Sequence, residues 1–197
     1  MPLAIALVHH PVYNKPGQVV ATSLTNLDIH DIARASCTFG VAPYFIVHAI
    51  PEMQAFAREV VAHWTEGFGA EFNITRKQAL SLIEVAPDLG AVDRHLRRLW
   101  GRDPKFAVTS ARMFPFTVTY AEMRRKIDVD DEPICLLFGT GYGLVDEIMA
   151  EADYTLEPVA GPTDYNHLSV RSAASIILDR LRSVPPADAP VAPRRKK

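Results

Sequence analysis

The sequence predicts an α/β fold, a mostly parallel sheet with helices on both faces. Apolar runs of about five residues alternate with stretches whose apolar residues recur at helical intervals, the signature of strands joined by crossover helices. The runs are apolar throughout instead of alternating with polar residues, which marks strands buried on both faces. Of the 197 residues 48% are hydrophobic and 22% charged, enough apolar material for one core and incompatible with global disorder or a coiled-coil rod.

Ala4 to Val8 is the first buried run, and a polar segment with turn signals at Pro11, Asn14 and Pro16-Gly17 follows it. Leu27, Ile32, Ala35 and Phe39 share a helical face, with Thr25 or Asn26 as N-cap and Gly40 as stop. Tyr44 to Val47 is a second strand, and Met53, Phe56, Val60 and Trp64 give Glu52 to Trp64 a helical spacing. Leu80 to Val85 reads as a strand, Leu89 to Trp100 as a helix, Phe106 to Thr109 as a strand and Tyr120 to Ile127 as a helix. Ile134 to Phe138 is the clearest buried strand. A short helix over Val145 to Ala150, a strand over Tyr154 to Leu156 and a final helix over Leu168 to Arg182 complete the series.

Residues 1–183 are read as one domain. Residues 184–197 form a tail with four prolines ending Arg194-Arg195-Lys196-Lys197, expected to be disordered and either to touch RNA or to be merely solvated. The formal charge of −2 means that any nucleic-acid contact needs a local basic patch. The strongest candidate is Arg94, His95, Arg97, Arg98, Arg102 and Lys105, extended by Arg112, Arg124, Arg125 and Lys126. Interleaved Asp93, Asp103 and Glu122 make a solvated face an equal explanation, and no aromatic stripe points to single-strand binding. Cys37 and Cys135 sit in no metal-ligand spacing, so a reducing compartment without disulfides is expected. The N-terminal run carries no basic stretch or cleavage site, and no run is long enough to span a bilayer; a soluble, cytoplasmic protein is expected.

Three segments carry chemistry. Leu136 to Leu144 places Gly139, Gly141 and Gly143 between a buried strand and a helix, where exposed amides could take a carboxylate, a phosphate or an adenine edge. The spacing is not the dinucleotide fingerprint GxGxxG, and a plain strand-to-helix turn explains it equally. Leu156 to Arg171 runs from a strand through a polar loop into a helix of small residues, and Thr25 to Val41 places Arg34 on a helix. His9, His10, Asp28, His30 and Asp31 could gather at one end of the sheet, but no three of them have metal-ligand spacing and no metal is expected.

In this order the segments TNLDIHDIAR, LFGTGYGLVDEI and DYNHLSVR resemble the SPOUT superfamily of RNA methyltransferases, closest to a small bacterial branch. The likeness runs from about Leu3 to Arg182 and implies a C-terminal deep trefoil knot, a bent S-adenosylmethionine held largely by backbone groups, and a homodimer in which each site is completed by the neighbouring subunit. Carried over, Thr109, Phe138, Gly139, Thr140, Gly143, Leu144, Leu156, Glu157, Pro158, His167 and Leu168 surround the cofactor, and Arg34 is the catalytic arginine. Asn26, Asp28, His30 and Arg98 are candidates for contact with substrate.

The sequence departs from the ribose methyltransferases of the superfamily in three places: Asp28 stands where they have Asn, the glycine loop lacks their glutamate, and Tyr165-Asn166-His167 replaces Ser-Leu-Asn. A ribose 2′-hydroxyl acceptor would use Arg34 to stabilise the developing alkoxide or hold the adjacent phosphate. A guanine N1 acceptor would need a carboxylate, with Asp164 favoured over Asp28 and Asp31 because it adjoins the cofactor loop. The reading is an S-adenosylmethionine-dependent RNA methyltransferase acting on transfer RNA, ribose transfer favoured over guanine N1. The alternatives are an RNA- and cofactor-binding module of the same fold without activity and, further off, a nucleotide-binding oxidoreductase.

Overall fold

The computed structural model describes residues 2–184, so residues 185–197 of the basic tail lie outside the described residues. The chain opens with β1 (Leu3–Val8), a hairpin of β2 (Val12–Tyr13) and β3 (Val19–Val20), α1 (Asn26–Phe39), β4 (Tyr44–Val47), α2 (Pro51–Thr65), α3 (Phe68–Phe72) and α4 (Ile74–Leu80). It continues through β5 (Ile83–Ala86), α5 (Leu89–Trp100), β6 (Lys105–Val108), β7 (Thr117–Val118), α6 (Tyr120–Asp128), β8 (Ile134–Gly139), α7 (Asp146–Glu151), β9 (Tyr154–Leu156) and α8 (Val170–Arg182).

Seven strands form one sheet in the order β5-β4-β1-β8-β6-β9-β7, parallel at every pairing. All six residues of β1 are buried, which is why its sequence is apolar without alternation. Leu3, Ile5 and Leu7 face a layer that includes α1, α6 and α8, through Ile29, Ile32, Met123, Ile127, Leu178 and Leu181. Ala4, Ala6 and Val8 face α5 and α7 through Val92, Leu96, Val145 and Ile148. The small alanines on this second side let α7 and the β2–β3 hairpin approach the sheet closely. β8, late in the chain, pairs between β1 and β6, and β9 pairs between β6 and β7. The chain runs outward from β1 to β4 and β5, then returns on the other side. The strand order therefore reverses beside β1, and the carboxyl ends of β1 and β8 border the crevice where such sheets bind ligands.

Thr25 is the N-cap of α1: its hydroxyl accepts the Asp28 amide while the Asp28 carboxylate returns to the Thr25 amide. Gly40 ends the helix in the left-handed conformation at φ 65°. The expected strand from Leu80 is corrected: Leu80 is the last residue of α4, and β5 begins only at Ile83. The helices α3 and α4 were not expected, because five and seven residues are too few to show a period. Asn73 nucleates α4 by accepting the Arg76 amide. The two-residue strands β2, β3 and β7 escape for the same reason. Among the described residues no helix is long and apolar enough to cross a membrane.

Candidate active site

A cleft of about 1140 Å³ opens at the carboxyl ends of β1, β6 and β8, between the glycine loop and the segment leading into α8. Of the expected cofactor residues, Thr109, Phe138, Gly139, Thr140, Gly143, Leu144, His167 and Leu168 line it. Leu156, Glu157 and Pro158 do not. Leu156 is spent in the core, and Glu157 accepts the Tyr120 amide at 2.6 Å, fastening the start of α6.

The glycine loop is shaped by the hairpin beneath it. Tyr13 donates its amide to the Gly143 carbonyl and accepts the Tyr142 amide at its own carbonyl, each at 2.9 Å. A Cβ on Gly141 would lie 2.8 Å from the Tyr13 oxygen, and Gly141 has φ +59°, so close approach and backbone conformation both demand glycine there. The loop offers fewer amides than its sequence suggests. Those of Thr140, Tyr142 and Gly143 bond within the fold, leaving Gly141 and Leu144 without a partner among the described residues. Across the cleft, Asn166 donates to the Ala111 carbonyl at 2.8 Å and clamps the loop before α8 to the loop after β6.

His9, weighed in the sequence only as a metal ligand, and Arg171, not singled out there, hold the floor together. His9 is fully buried and lines the cleft, its ring stacked on His48 at 5.3 Å between centroids. Its Nδ1 lies 3.0 Å from the Thr22 hydroxyl, which meets the Thr140 hydroxyl, itself 3.1 Å from the Val8 carbonyl. Each hydroxyl has one proton. All donors are satisfied only if Thr140 donates to Val8, Thr22 to Thr140 and His9 Nδ1–H to Thr22. His9 Nε2 is then a bare acceptor, and it has no partner in the fold. Burial first and the neighbouring His48 second push His9 down to about 4, so the ring is neutral. His48 takes the opposite tautomer, donating Nε2–H to the Thr22 carbonyl and accepting the Ile50 amide at Nδ1. Arg171 donates to Asp28 Oδ1 at 3.1 Å and pairs with Asp31 at 3.4 Å. Thr25 binds the second Asp28 oxygen through its hydroxyl and amide.

The remaining expected residues are dispersed. Arg34 is outside the cleft, on the exposed side of α1, and Asp164 is exposed and not among the lining residues. Asn26 is exposed at the first turn of α1; His30 packs edge-on against Trp64 at 5.7 Å, away from the cleft lining. Asp28 does line it. Arg98 sits at the C-terminal end of α5, toward the amino ends of the strands and opposite the cleft. The basic patch around it is largely neutralised. Arg97 pairs with Asp93 and Asp103, Arg102 with Asp131, Lys105 with Asp153, and Lys126 with Glu132. Among the described residues no three His, Cys, Asp or Glu side chains gather as a metal site.

A family model described as SAM-dependent RNA methyltransferase matches residues 2–183. The chain belongs to this family. S-adenosylmethionine is its cofactor and RNA its substrate class. An uncharacterized protein of Aquifex aeolicus is 38% identical over 91% of this chain and 87% of its own length. A tRNA (guanine-N(1)-)-methyltransferase of Oleidesulfovibrio alaskensis is 41% identical over 91% of this chain, which spans only 41% of that longer relative. The fold is shared with TrmJ from Z. mobilis ZM4, with a TM-score of 0.59 at 17% identity over 98% of this chain and 73% of that one. It is shared too with the SpoU methyltransferase AviRb from Streptomyces viridochromogenes in complex with AdoMet, TM-score 0.56 at 19% identity over 91% and 56%.

The cleft fits the cofactor. Phe138, Leu144, Met149 and Ile177 provide apolar surface for a purine and a thioether chain. The orphaned His9 Nε2 and the two unpaired loop amides provide polar groups for an adenine edge, a ribose or an amino-acid end.

Proposed function

We propose that this chain methylates a ribose 2′-hydroxyl of transfer RNA, working as a homodimer. S-adenosylmethionine supplies a methyl group on a sulfonium, ready for in-line displacement. Thr109, Phe138 to Leu144 and His167-Leu168 would hold it, with Leu156 to Pro158 supporting the wall behind. The C-terminal third is proposed to form a trefoil knot, which would make the cofactor walls rigid. Arg34 is proposed to serve the cleft of a second copy, since it does not line its own. There its fork of donors would stabilise the alkoxide or clamp the neighbouring phosphate.

What supports the ribose reading is that neither Asp164 nor Asp28, weighed in the sequence for N1 chemistry, is placed for it. N1 chemistry needs an unengaged carboxylate to accept a proton. Asp28 has both oxygens occupied and Asp164 is off the cleft. Asp146, at the start of α7, favours the second reading: it lines the cleft with neither carboxylate oxygen bonded among the described residues. The names of the longer relatives point the same way.

Labelled S-adenosylmethionine incubated with total RNA tests the proposal. Label in RNA that is lost in Arg34→Ala and kept in Asp146→Asn supports ribose transfer. Loss in Asp146→Asn supports guanine N1, and cofactor binding without any label leaves a binding module.

A further inference from the structure

A second cavity, of about 290 Å³, opens between α1 and α4 and shares no residue with the cleft. Arg34 and Thr38 line it from α1, and Asn73, Thr75, Arg76 and Gln78 from the α4 side. Two arginines are thus among the residues of one small space that no carboxylate lines. The nearby acids of α1 are not available to them, because Asp28 and Asp31 are both taken by Arg171. Neither Arg34 nor Arg76 has an ion-pair partner among the described residues, a state they share with Arg58, Arg94, Arg98, Arg112 and Arg180 but not with Arg97, Arg102, Arg124, Arg125, Arg171 and Arg182. Their joint field is felt at His30, which burial first and then Arg76 push below its ordinary range.

Of the other lining groups, Thr38 and Thr75 spend their hydroxyl protons on the Arg34 carbonyl and the Asn73 side-chain oxygen, so the donors left are the side-chain amides of Asn73 and Gln78. The Arg76 guanidinium stacks 4.4 Å above Trp64, which fixes its plane without consuming its N–H groups. The Asn73 carbonyl oxygen is occupied by the Arg76 amide and the Thr75 hydroxyl, so its side-chain NH₂ is what remains to offer. Such a set suits a tetrahedral oxyanion.

The short helix α3, which leads directly into Asn73, carries two exposed aromatic rings. Phe68 and Phe72 are each 78% exposed and nearly parallel, at 21° and 6.0 Å between centroids. Exposed aromatic faces close in the chain to a guanidinium group are a combination that holds unstacked nucleotides.

We propose that the cavity between α1 and α4 seats a backbone phosphate of the substrate RNA on Arg76, with Phe72 stacking on an adjoining base. The proposal rests on the RNA methyltransferase reading and adds to it a contact surface outside the cofactor cleft.

The test is fluorescence anisotropy of the full chain with a short labelled single-stranded RNA of mixed sequence, titrated across KCl concentrations. Arg76→Gln is expected to lower the slope of log affinity against log salt by about 0.7, the value for one released counterion on a single strand. Arg76→Lys keeps the slope. Phe72→Ala weakens binding by about tenfold at every salt concentration without changing the slope. Calorimetry with S-adenosylmethionine should be unchanged in all three, which also shows that they fold. Arg76→Gln with the wild-type slope overturns the phosphate seat while leaving the methyltransferase reading intact. A fall in dimer mass on light scattering with unaltered RNA binding overturns it in favour of a carboxylate from a second copy. A wild-type chain that binds the cofactor but no RNA overturns the seat together with the reading beneath it.

Discussion

Arg171 and Asp28, 143 positions apart, join the first turn of α8 to the first turn of α1 through a 3.1 Å hydrogen bond. The Asp28 side chain is only 8% exposed, so removing its partner strands a nearly buried carboxylate. Arg171→Gln is expected to lower the unfolding free energy by about 2 kcal/mol, the range for a hydrogen bond to a charged group. Urea denaturation measures it. Combined with Asp28→Asn the loss should be markedly less than additive, because both changes remove one interaction.

Acid should unfold the protein partly through His9. Its pKa is about 4 in the fold against 6.5 in an unfolded chain, so the unfolded state binds the proton first. The stability from a neutral His9 is complete above pH 6.5 and is lost as pH falls toward 4, by about 3 kcal/mol. His48 and His30 are lowered too and act in the same direction. Urea midpoints between pH 7 and pH 4 should therefore fall less steeply for His9→Gln than for wild type.

Alanine in the glycine loop should separate crowding from backbone strain. At Gly143, φ +107°, a Cβ meets nothing within 4 Å, so Gly143→Ala carries only the conformational cost, about 1–2 kcal/mol. Gly141→Ala adds a collision with the Tyr13 carbonyl and should cost more. It should also weaken S-adenosylmethionine binding at least about tenfold by calorimetry, since a displaced loop misplaces every group it carries.

If each cleft borrows Arg34 from a second copy, two inactive variants should rescue each other. A mixture of Arg34→Ala and Gly141→Ala subunits, exchanged and assayed with labelled cofactor, should recover up to about a quarter of wild-type activity, from mixed dimers with one intact site. No recovery despite mixed dimers on mass analysis would place Arg34 in its own subunit's chemistry or outside it.

The strands and long helices were legible because burial writes itself into composition. β1, β4 and β8 are unbroken apolar runs, and Thr25, Asp88 and Gly101 mark helix ends by chemistry that acts locally. The glycine loop was legible as a site but not its cause, since the Tyr13 carbonyl that crowds Gly141 comes from a hairpin too short to have a pattern. His9 was legible only as a possible metal ligand and Arg171 not at all, because their roles lie in distant partners, Thr22 with Thr140 and Asp28. For the basic patch around α5 the sequence left RNA contact and a solvated face equally open. Charge in sequence does not reveal that Asp131 and Asp153 come back to neutralise Arg102 and Lys105.

The most direct test is to identify the nucleoside that receives the methyl group. RNA from cells lacking this protein should be reacted with the purified chain and S-adenosylmethionine, digested to nucleosides and analysed by mass spectrometry. The expected product carries the methyl on ribose and is absent with Arg34→Ala. N1-methylguanosine, or no methylated nucleoside from a chain that binds the cofactor, would contradict it.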